Sequence, residues 1–182
     1  MLVGKKCILR ALEPKDADEL IKYVNDWEVR QYLQVFIPLT KTDEINFIEN
    51  VRTQMIALKE FVFGIEVIPE KKLVGTTGLH KVDWKNKNAE FGIAIWNKNY
   101  WGKGIGTEAT QLLLKYAFEE LGFHRIYLRV FGFNLRAIKC YEKVGFKQEG
   151  ILRETLWRDG KWHNTIIMGI LEHEYRELYM KK

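Results

Sequence analysis

Short apolar runs and longer stretches with a helical repeat alternate along this chain, and this pattern predicts its secondary structure. The short runs predict about seven strands, at residues 7–10, 61–67, 73–80, 89–96, 126–131, 147–156 and 163–171. Helical spacing or helix start signals predict helices at residues 15–25, 28–33, 41–58, 107–121, 134–144 and 172–179. An apolar loop, residues 35–39, separates the second helix from the third.

Two of the predicted helices carry a long apolar stripe, which is typical of a helix packed on a sheet. In the helix at 41–58, the inner face comprises Ile45, Ile48, Val51, Met55 and Leu58. In the helix at 107–121, the inner face comprises Ala109, Leu112, Leu113, Tyr116, Ala117 and Leu121.

The order of these elements indicates the fold class. Antiparallel hairpins come first, and strand–helix–strand crossovers follow around residues 104–128. This order predicts an α/β (α+β) fold with a central mixed, largely antiparallel sheet of about seven strands and helices on both faces. The length of 182 residues fits a single domain, 1–182, because no linker or repeat interrupts the chain.

Three glycines at alternate positions lie between the strand at 89–96 and the helix at 107–121. Gly102, Gly104 and Gly106 have no Cβ, so the backbone N–H groups of this segment can turn toward one point. A glycine turn that leads into a helix N-terminus combines free N–H donors with the positive end of the helix dipole. We therefore expect this segment to bind a phosphate-bearing ligand.

Two familiar phosphate-binding turns do not fit this segment. The ATP-binding loop requires G-x-x-x-x-G-K-[ST], which the chain lacks. The dinucleotide turn requires G-x-G-x-x-G, but counted from Gly102 its last glycine falls on Thr107. Taken alone, the alternating glycines are also compatible with an ordinary tight turn.

A second segment with strong helix signals follows about 30 residues later and reads NLRAIKCYEKVGF, residues 134–146. Asn134 suits the N-cap of a short helix, and Gly145 suits the position just after its end. The apolar face of this helix comprises Ala137, Cys140, Tyr141 and Val144.

Together these two segments resemble the GNAT superfamily of N-acetyltransferases. The glycine turn is similar to the family's pyrophosphate loop, [QR]-x-x-G-x-[GA], with Gly104 and Gly106 in the last two places. Residues 134–146 match the family pattern N-x-x-A-x-x-x-Y-x-x-x-G-F at every specified position. Trp101 replaces the Gln or Arg of the first pattern, so a phosphate contact from that side chain is expected to be absent. The resemblance covers nearly the whole chain and extends to the branch with RimJ/RimL-type and polyamine acetyltransferases.

The resemblance implies that the chain binds acetyl-CoA in a cleft between the strands at 89–96 and 126–131. The main chain of residues 93–95 would pair with the pantetheine arm and place an N–H group near the thioester oxygen. The residues that the resemblance assigns to cofactor binding are Ile93, Ala94, Ile95, Trp101, Gly102, Lys103, Gly104, Ile105, Gly106, Thr107, Asn134, Arg136, Ala137 and Tyr141. Asn134 is equally compatible with a plain helix cap.

Acetyl transfer from a thioester to an amine requires a proton donor for the thiolate and a proton acceptor for the amine. Tyr141 is the candidate acid, because the pKa of a phenol, about 10, is close to that of a thiol. The alternative is that Tyr141 only packs in the core. Glu90 is the first candidate for the base. Other candidates for the base or the substrate side are Glu28, Glu66, His80, Glu149 and Glu154.

Composition and charge limit the ligands and partners. The net charge of +5 and the pI near 9.1 suit an anionic ligand such as coenzyme A. Basic and aromatic residues are not interleaved, so nucleic acid is not an expected partner. We expect a cytoplasmic protein with no membrane partner, since neither a signal peptide nor an apolar span is evident. A homodimer is left open.

The remaining reactive side chains point to no other chemistry. Cys7 and Cys140 do not suggest a disulfide framework, and Cys140 is not expected to carry the acyl group because no His or Asp stands at motif spacing. The four histidines show no zinc-type spacing, so no metal is expected.

The apolar segment 35–42 should border the acceptor pocket, and it contains no acid. Because a polyamine would require several carboxylates there, we expect the acceptor to be a protein N-terminal α-amine, as in a RimJ/RimL-type enzyme. A diamine, polyamine or other small amine is the alternative. A CoA-binding regulatory module without catalysis is an alternative of another class.

Overall fold

The computed structural model describes residues 1–180, in which eight strands and six α-helices alternate. The strands are β1 Leu2–Val3, β2 Cys7–Arg10, β3 Phe61–Val67, β4 Lys72–Asp83, β5 Asn88–Ile95, β6 Arg125–Phe131, β7 Lys147–Arg158 and β8 Lys161–Leu171. The helices are α1 Ala17–Val24, α2 Trp27–Arg30, α3 Lys41–Ile56, α4 Ile105–Lys115, α5 Leu135–Val144 and α6 Glu172–Tyr179.

All eight strands form one sheet in the order β1-β2-β3-β4-β5-β6-β8-β7. Every neighbouring pair is antiparallel except β5 and β6, which are parallel and joined by the crossover through α4. Pairing between β5 and β6 stops at Glu90 and Tyr127, so the C-terminal halves of these two strands separate. The predicted mixed, largely antiparallel sheet is confirmed, with the short β1 as an additional edge strand.

Helices cover both faces of the sheet, as predicted. On one face, Phe91, Ile93 and Ile95 of β5 belong to the core that α4 and α5 complete. On the other face, Ala94 and Trp96 pack in a second core with residues of α1 and α3. Each fully buried large aliphatic side chain contributes about 1.5–3 kcal/mol of burial free energy. The sheet is therefore held from both sides while the gap between β5 and β6 stays open.

Several helix boundaries differ from the prediction, most clearly those of α3 and α4. Helix α4 begins at Ile105 rather than Thr107, because Gly104 adopts a left-handed φ of 80° and serves as the N-cap. At its other end a π-helical turn, Tyr116–Glu120, replaces the last α-helical turn. Leu58, predicted on the inner face of the helix at 41–58, lies beyond the end of α3 and is 53% exposed.

The hairpin between β7 and β8 is tighter than the predicted strands imply. Both strands extend to a two-residue turn, in which Asp159 and Gly160 have φ of 53° and 73°. Positive φ at both central positions matches the right-handed twist of a hairpin, and Asp-Gly is a favoured pair there.

In residues 1–180, no helix has the length and apolar character needed to cross a membrane.

Candidate active site

A cleft of about 1000 Å³ opens where β5 and β6 separate. Cavities of this size hold ligands as large as a nucleotide cofactor. Of the residues predicted to bind the cofactor, twelve line the cleft: Ile93, Ala94, Ile95, Trp101, Gly102, Gly104, Gly106, Thr107, Asn134, Arg136, Ala137 and Tyr141. The side chains of Lys103 and Ile105 are not among the lining groups, and Ile105 is buried in the core.

The glycine turn presents a row of free main-chain donors to this cleft. Among the described residues, no acceptor lies within hydrogen-bonding geometry of the N–H groups of residues 102–107. The first bonded N–H is that of Glu108, which donates to the Gly104 carbonyl at 3.1 Å. Six successive free N–H groups at the start of α4 form a site that favours an anion.

Contacts from the start of β2 hold this turn in place. The Glu108 carboxylate accepts hydrogen bonds from the backbone N–H groups of Lys5, Lys6 and Cys7 at 2.7–3.0 Å. The Lys6 ammonium donates to the Lys103 carbonyl at 2.8 Å. Burial alone would raise the pKa of Glu108, but these backbone donors lower it. The turn is therefore organised before any ligand arrives.

The edge of β5 that faces the gap offers main-chain groups at alternate residues. The Trp96 N–H donates to the Val74 carbonyl of β4, so Trp96, Ala94 and Gly92 direct their main-chain groups toward β4. Ile93 and Ile95 then direct theirs into the gap. The Ile95 carbonyl already accepts from the Trp101 indole N–H at 2.7 Å. Ile93 and the Ile95 N–H are therefore the main-chain groups that are available to pair with pantetheine. Ala94 lines the cleft but has no free main-chain group.

Trp101 has a structural role that the sequence pattern did not indicate. The Arg136 guanidinium of α5 stacks on the Trp101 ring, 3.8 Å from its centroid, and lies 5.3 Å from the centroid of the Tyr32 ring. Tyr32 and Trp101 meet edge to face at 6.0 Å. A cation is therefore held beside the glycine turn, although Gln or Arg is missing at position 101.

Helix α5 lines the cleft along most of its length. The Asn134 carboxamide oxygen accepts from the Ala137 N–H at 3.3 Å, which confirms Asn134 as a helix cap. Cys140 lines the cleft next to the Thr107 hydroxyl at 3.3 Å. Burial raises the pKa of the Cys140 thiol, so this thiol is a poor nucleophile. Both cysteines are free thiols.

Tyr141 is buried yet has a free hydroxyl. Its ring packs edge to face on Phe91 and Phe146 at centroid distances of 6.0 and 5.9 Å, and the residue is 8% exposed. The hydroxyl makes no hydrogen bond among residues 1–180. Its oxygen is nevertheless accessible to solvent. Burial raises the pKa of Tyr141 well above its ordinary value. The phenol therefore stays protonated and faces the cleft. Its raised pKa removes the expected match with the pKa of a thiol, so its role as the acid rests on its position.

Glu90 lies in the cleft but is not a free carboxylate. Its Oε1 accepts from Arg129 Nε at 2.8 Å, and its Oε2 is 2.8 Å from Lys81 Nζ. Burial favours the neutral acid, but Arg129 and Lys81 outweigh burial and lower the pKa of Glu90. Because a lowered pKa makes a weak base, this geometry does not favour the prediction that Glu90 accepts the proton.

The other predicted acidic candidates lie away from the cleft. Glu28 pairs with Lys98, Glu66 with Arg10, and Glu149 with Arg125. Glu154 is on the exposed part of β7. None of these four lines the cleft, whereas His80 does.

Sequence reasoning missed the basic character of the cleft. Its lining includes Lys81, Arg129, Arg136, Lys139 and Lys143, and Glu90 is its one carboxylate within residues 1–180. An alternation of polar residues along β6 could have indicated Arg129, because every second side chain shares a face. In the described part of the chain, no cluster of His, Cys, Asp or Glu is arranged to hold a metal ion.

Known proteins are similar to this chain in sequence and in fold. A family model described as an acetyltransferase (GNAT) domain matches residues 6–147. The uncharacterized N-acetyltransferase p20 of Bacillus licheniformis is 31% identical, over 96% of this chain and 97% of p20. YdaF of Bacillus subtilis strain 168 is 30% identical, over 95% of each chain. Its name describes a ribosomal N-acetyltransferase, an activity that the name itself gives as unproven.

A solved structure shows the same fold with ligands. The crystal structure of spermidine N-acetyltransferase from Vibrio cholerae in complex with CoA and spermine matches with a TM-score of 0.83 and 28% identity. The match covers 94% of this chain and 99% of that chain.

Proposed function

The chain belongs to the GNAT acetyltransferases and uses acetyl-CoA, and from this premise we propose that its acceptor is the α-amine of a protein N-terminus. The observation that carries this proposal is the charge of the cleft. Arg129 and Lys81 surround Glu90, which is the single carboxylate of the lining in residues 1–180. A polyamine would bring several positive charges to a site with no carboxylate left to pair with them.

The cofactor would lie along the gap between β5 and β6. Its diphosphate would accept hydrogen bonds from the free N–H groups of residues 102–107, with the Arg136 cation beside them. Its pantetheine arm would pair with the free main-chain groups of Ile93 and Ile95, and one of these N–H groups would stabilise the oxyanion. Lys139 and Lys143 on α5 add positive charge to the same cleft. Asn134 and Ala137 lie at the start of α5, where the thiol end of the cofactor would pass.

Tyr141 is proposed as the general acid of the reaction. Its hydroxyl is protonated, has no protein partner and faces the cleft. When the tetrahedral intermediate collapses, the C–S bond breaks and the thiolate takes the Tyr141 proton. The ring contacts with Phe91 and Phe146 hold the phenol in one place for this step.

The acceptor would approach from the face of the sheet opposite α4. Tyr32, Leu33 and Phe36 line this side of the cleft, and Phe36 is 71% exposed. An extended peptide has an uncharged backbone and variable side chains, so an apolar rim can hold it without paired charges. The name of YdaF supports a ribosomal protein as acceptor.

With a single domain and two free thiols, we place the enzyme in the cytoplasm.

A polyamine acceptor remains the second candidate, because the Vibrio cholerae enzyme crystallised with CoA and spermine has the same fold. Separate reactions with acetyl-CoA and equal concentrations of an N-terminal peptide, a polyamine, an aminoglycoside or an amino acid distinguish the two. The release of free thiol is measured in each. We expect kcat/KM for the best peptide to exceed that for spermidine by about 10-fold or more, which is about 1.4 kcal/mol.

The matched control is the same peptide with its N-terminus blocked and any lysine side chains intact. Loss of thiol release with the blocked peptide assigns the reaction to the α-amine. Faster turnover of spermidine than of any peptide would contradict the proposed acceptor, and no thiol release with any amine would favour a CoA-binding module.

A further inference from the structure

His80 stands in the middle of a row of three side chains that crosses the sheet. It pairs in register with Glu90 of β5, and Glu60, which directly precedes β3, continues the β3–β4 register opposite His80. Directly opposed residues share one face of a sheet. This row therefore lies on the face opposite α4, where the acceptor approaches.

The two nitrogens of the His80 ring have different surroundings. Nδ1 lies 3.2 Å from Glu60 Oε2. Nε2 has no hydrogen-bond partner among residues 1–180, and His80 lines the cleft. A carboxylate beside Nδ1 favours the tautomer with its proton on that nitrogen, which leaves a lone pair on Nε2.

Two glycines give the ring its position. Gly78 and Gly92 are register partners, and they form the next pair on the same face of the sheet as His80 and Glu90. Neither glycine has a side chain, so the space beside the His80 ring is open. A Cβ at Gly78 would lie 3.2 Å from His80 Nε2, and one at Gly92 would lie 3.4 Å from it. The ring thus lies over the bare backbone of Gly78 and Gly92, and Gly92 is the residue before Ile93.

This position places an imidazole nitrogen without a protein partner beside the predicted site of reaction. Ile93 offers the main-chain groups to which the thioester end of the cofactor would pair, and Gly92 is its direct neighbour. Glu90, the other titratable group of the row in the cleft, is already held by Arg129 and Lys81. Nε2 of His80 is therefore the free proton acceptor on the acceptor side of the gap.

We propose that His80 Nε2 takes the proton that the acceptor ammonium must lose, and that Glu60 positions the His80 ring for this step. The inference rests on the proposed function. The neutral amine then attacks the thioester carbon, and a C–N bond forms. The C–S bond breaks as Tyr141 gives its proton to sulfur, and the tyrosinate recovers a proton from the amide nitrogen. His80 releases its proton to solvent, so the products are an amide, the CoA thiol and one proton.

The test uses two acceptors whose reacting nitrogens differ in protonation at neutral pH. One is the best peptide of the acceptor panel, whose α-amine, with a pKa of about 8, is mostly protonated at neutral pH. The other is the same peptide with an aminooxyacetyl group at its N-terminus, whose nitrogen is unprotonated at neutral pH. His80→Gln is expected to lower kcat/KM for the amine about 100-fold or more and for the alkoxyamine less than about 5-fold.

Glu60→Gln is expected to lower kcat/KM for the amine about 10-fold and to leave the alkoxyamine reaction unchanged, because Glu60 acts only through His80. His173→Gln on α6 and Glu49→Gln on α3 are the matched exposed controls, and neither should alter either reaction. Calorimetry should give the same acetyl-CoA affinity for all five proteins.

Equal losses for both acceptors in His80→Gln would overturn the proposal, because they would show a structural or binding role. Retention of kcat/KM within about 3-fold for the amine would overturn it as well. If the wild type transfers acetyl to neither acceptor, the proposed function itself fails. If the wild type reacts and His80→Gln reacts equally well, the role of His80 fails while the proposed function stands.

Discussion

Tyr141→Phe is expected to lower kcat for acetyl transfer by about 100-fold, which is the size of a general-acid contribution. The affinity for acetyl-CoA should stay within about 2-fold, because the change removes only a hydroxyl that has no protein partner. The ring contacts with Phe91 and Phe146 remain, so the melting temperature should not fall. Steady-state thiol release gives kcat, and calorimetry gives the affinity.

Tyr127→Phe is the matched control for this experiment. Tyr127 is on β6 outside the cleft, and its ring lies under Arg125 at 4.8 Å. This variant should keep wild-type kcat. A Tyr141→Phe enzyme with kcat within about 3-fold of the wild type would remove Tyr141 from the chemistry and leave it as a core residue.

Gly106→Val is expected to weaken acetyl-CoA binding by about 30-fold, or about 2 kcal/mol. A Cβ at Gly106 meets no protein atom within 4 Å, and Gly106 lines the cleft, so the added side chain would occupy space proposed for the diphosphate. The fold should tolerate the change, since Gly106 has no left-handed φ and lies in the first turn of α4. Calorimetric titration of both proteins with acetyl-CoA checks the prediction.

Gly150→Val on β7 is its control, because a Cβ there also meets nothing within 4 Å but lies outside the cleft. This variant should bind acetyl-CoA like the wild type. If Gly106→Val bound the cofactor normally while both variants kept their melting temperatures, the diphosphate would have to lie elsewhere.

The strands, the main helices and the glycine turn could be predicted because each depends on residues close together in sequence. Apolar periodicity indicates a strand or helix locally, and Gly104 can serve as a left-handed N-cap whatever surrounds it. The free N–H groups of residues 102–107 follow from the same local geometry. This part of the candidate site can therefore be predicted from the sequence alone.

The charges and partners within the cleft could not be predicted in this way. Glu90 looks like a free carboxylate in the sequence, and only the β5–β6 pairing brings Arg129 to it from 39 positions away. Glu60 meets His80 only through the register of β3 and β4, which the sequence does not specify. The stack of Arg136 on Trp101 joins helix α5 to the segment before α4, and no spacing rule relates the two residues.

A single titration tests most directly whether the glycine turn and the open edge of β5 bind the cofactor. ¹⁵N-labelled protein is titrated with CoA to saturation, and the amide resonances are followed residue by residue. The largest shifts are expected on the amides of residues 102–107 and on those of Ile93 and Ile95. Saturation with CoA that leaves these amides unmoved, with the shifts concentrated elsewhere, would contradict it.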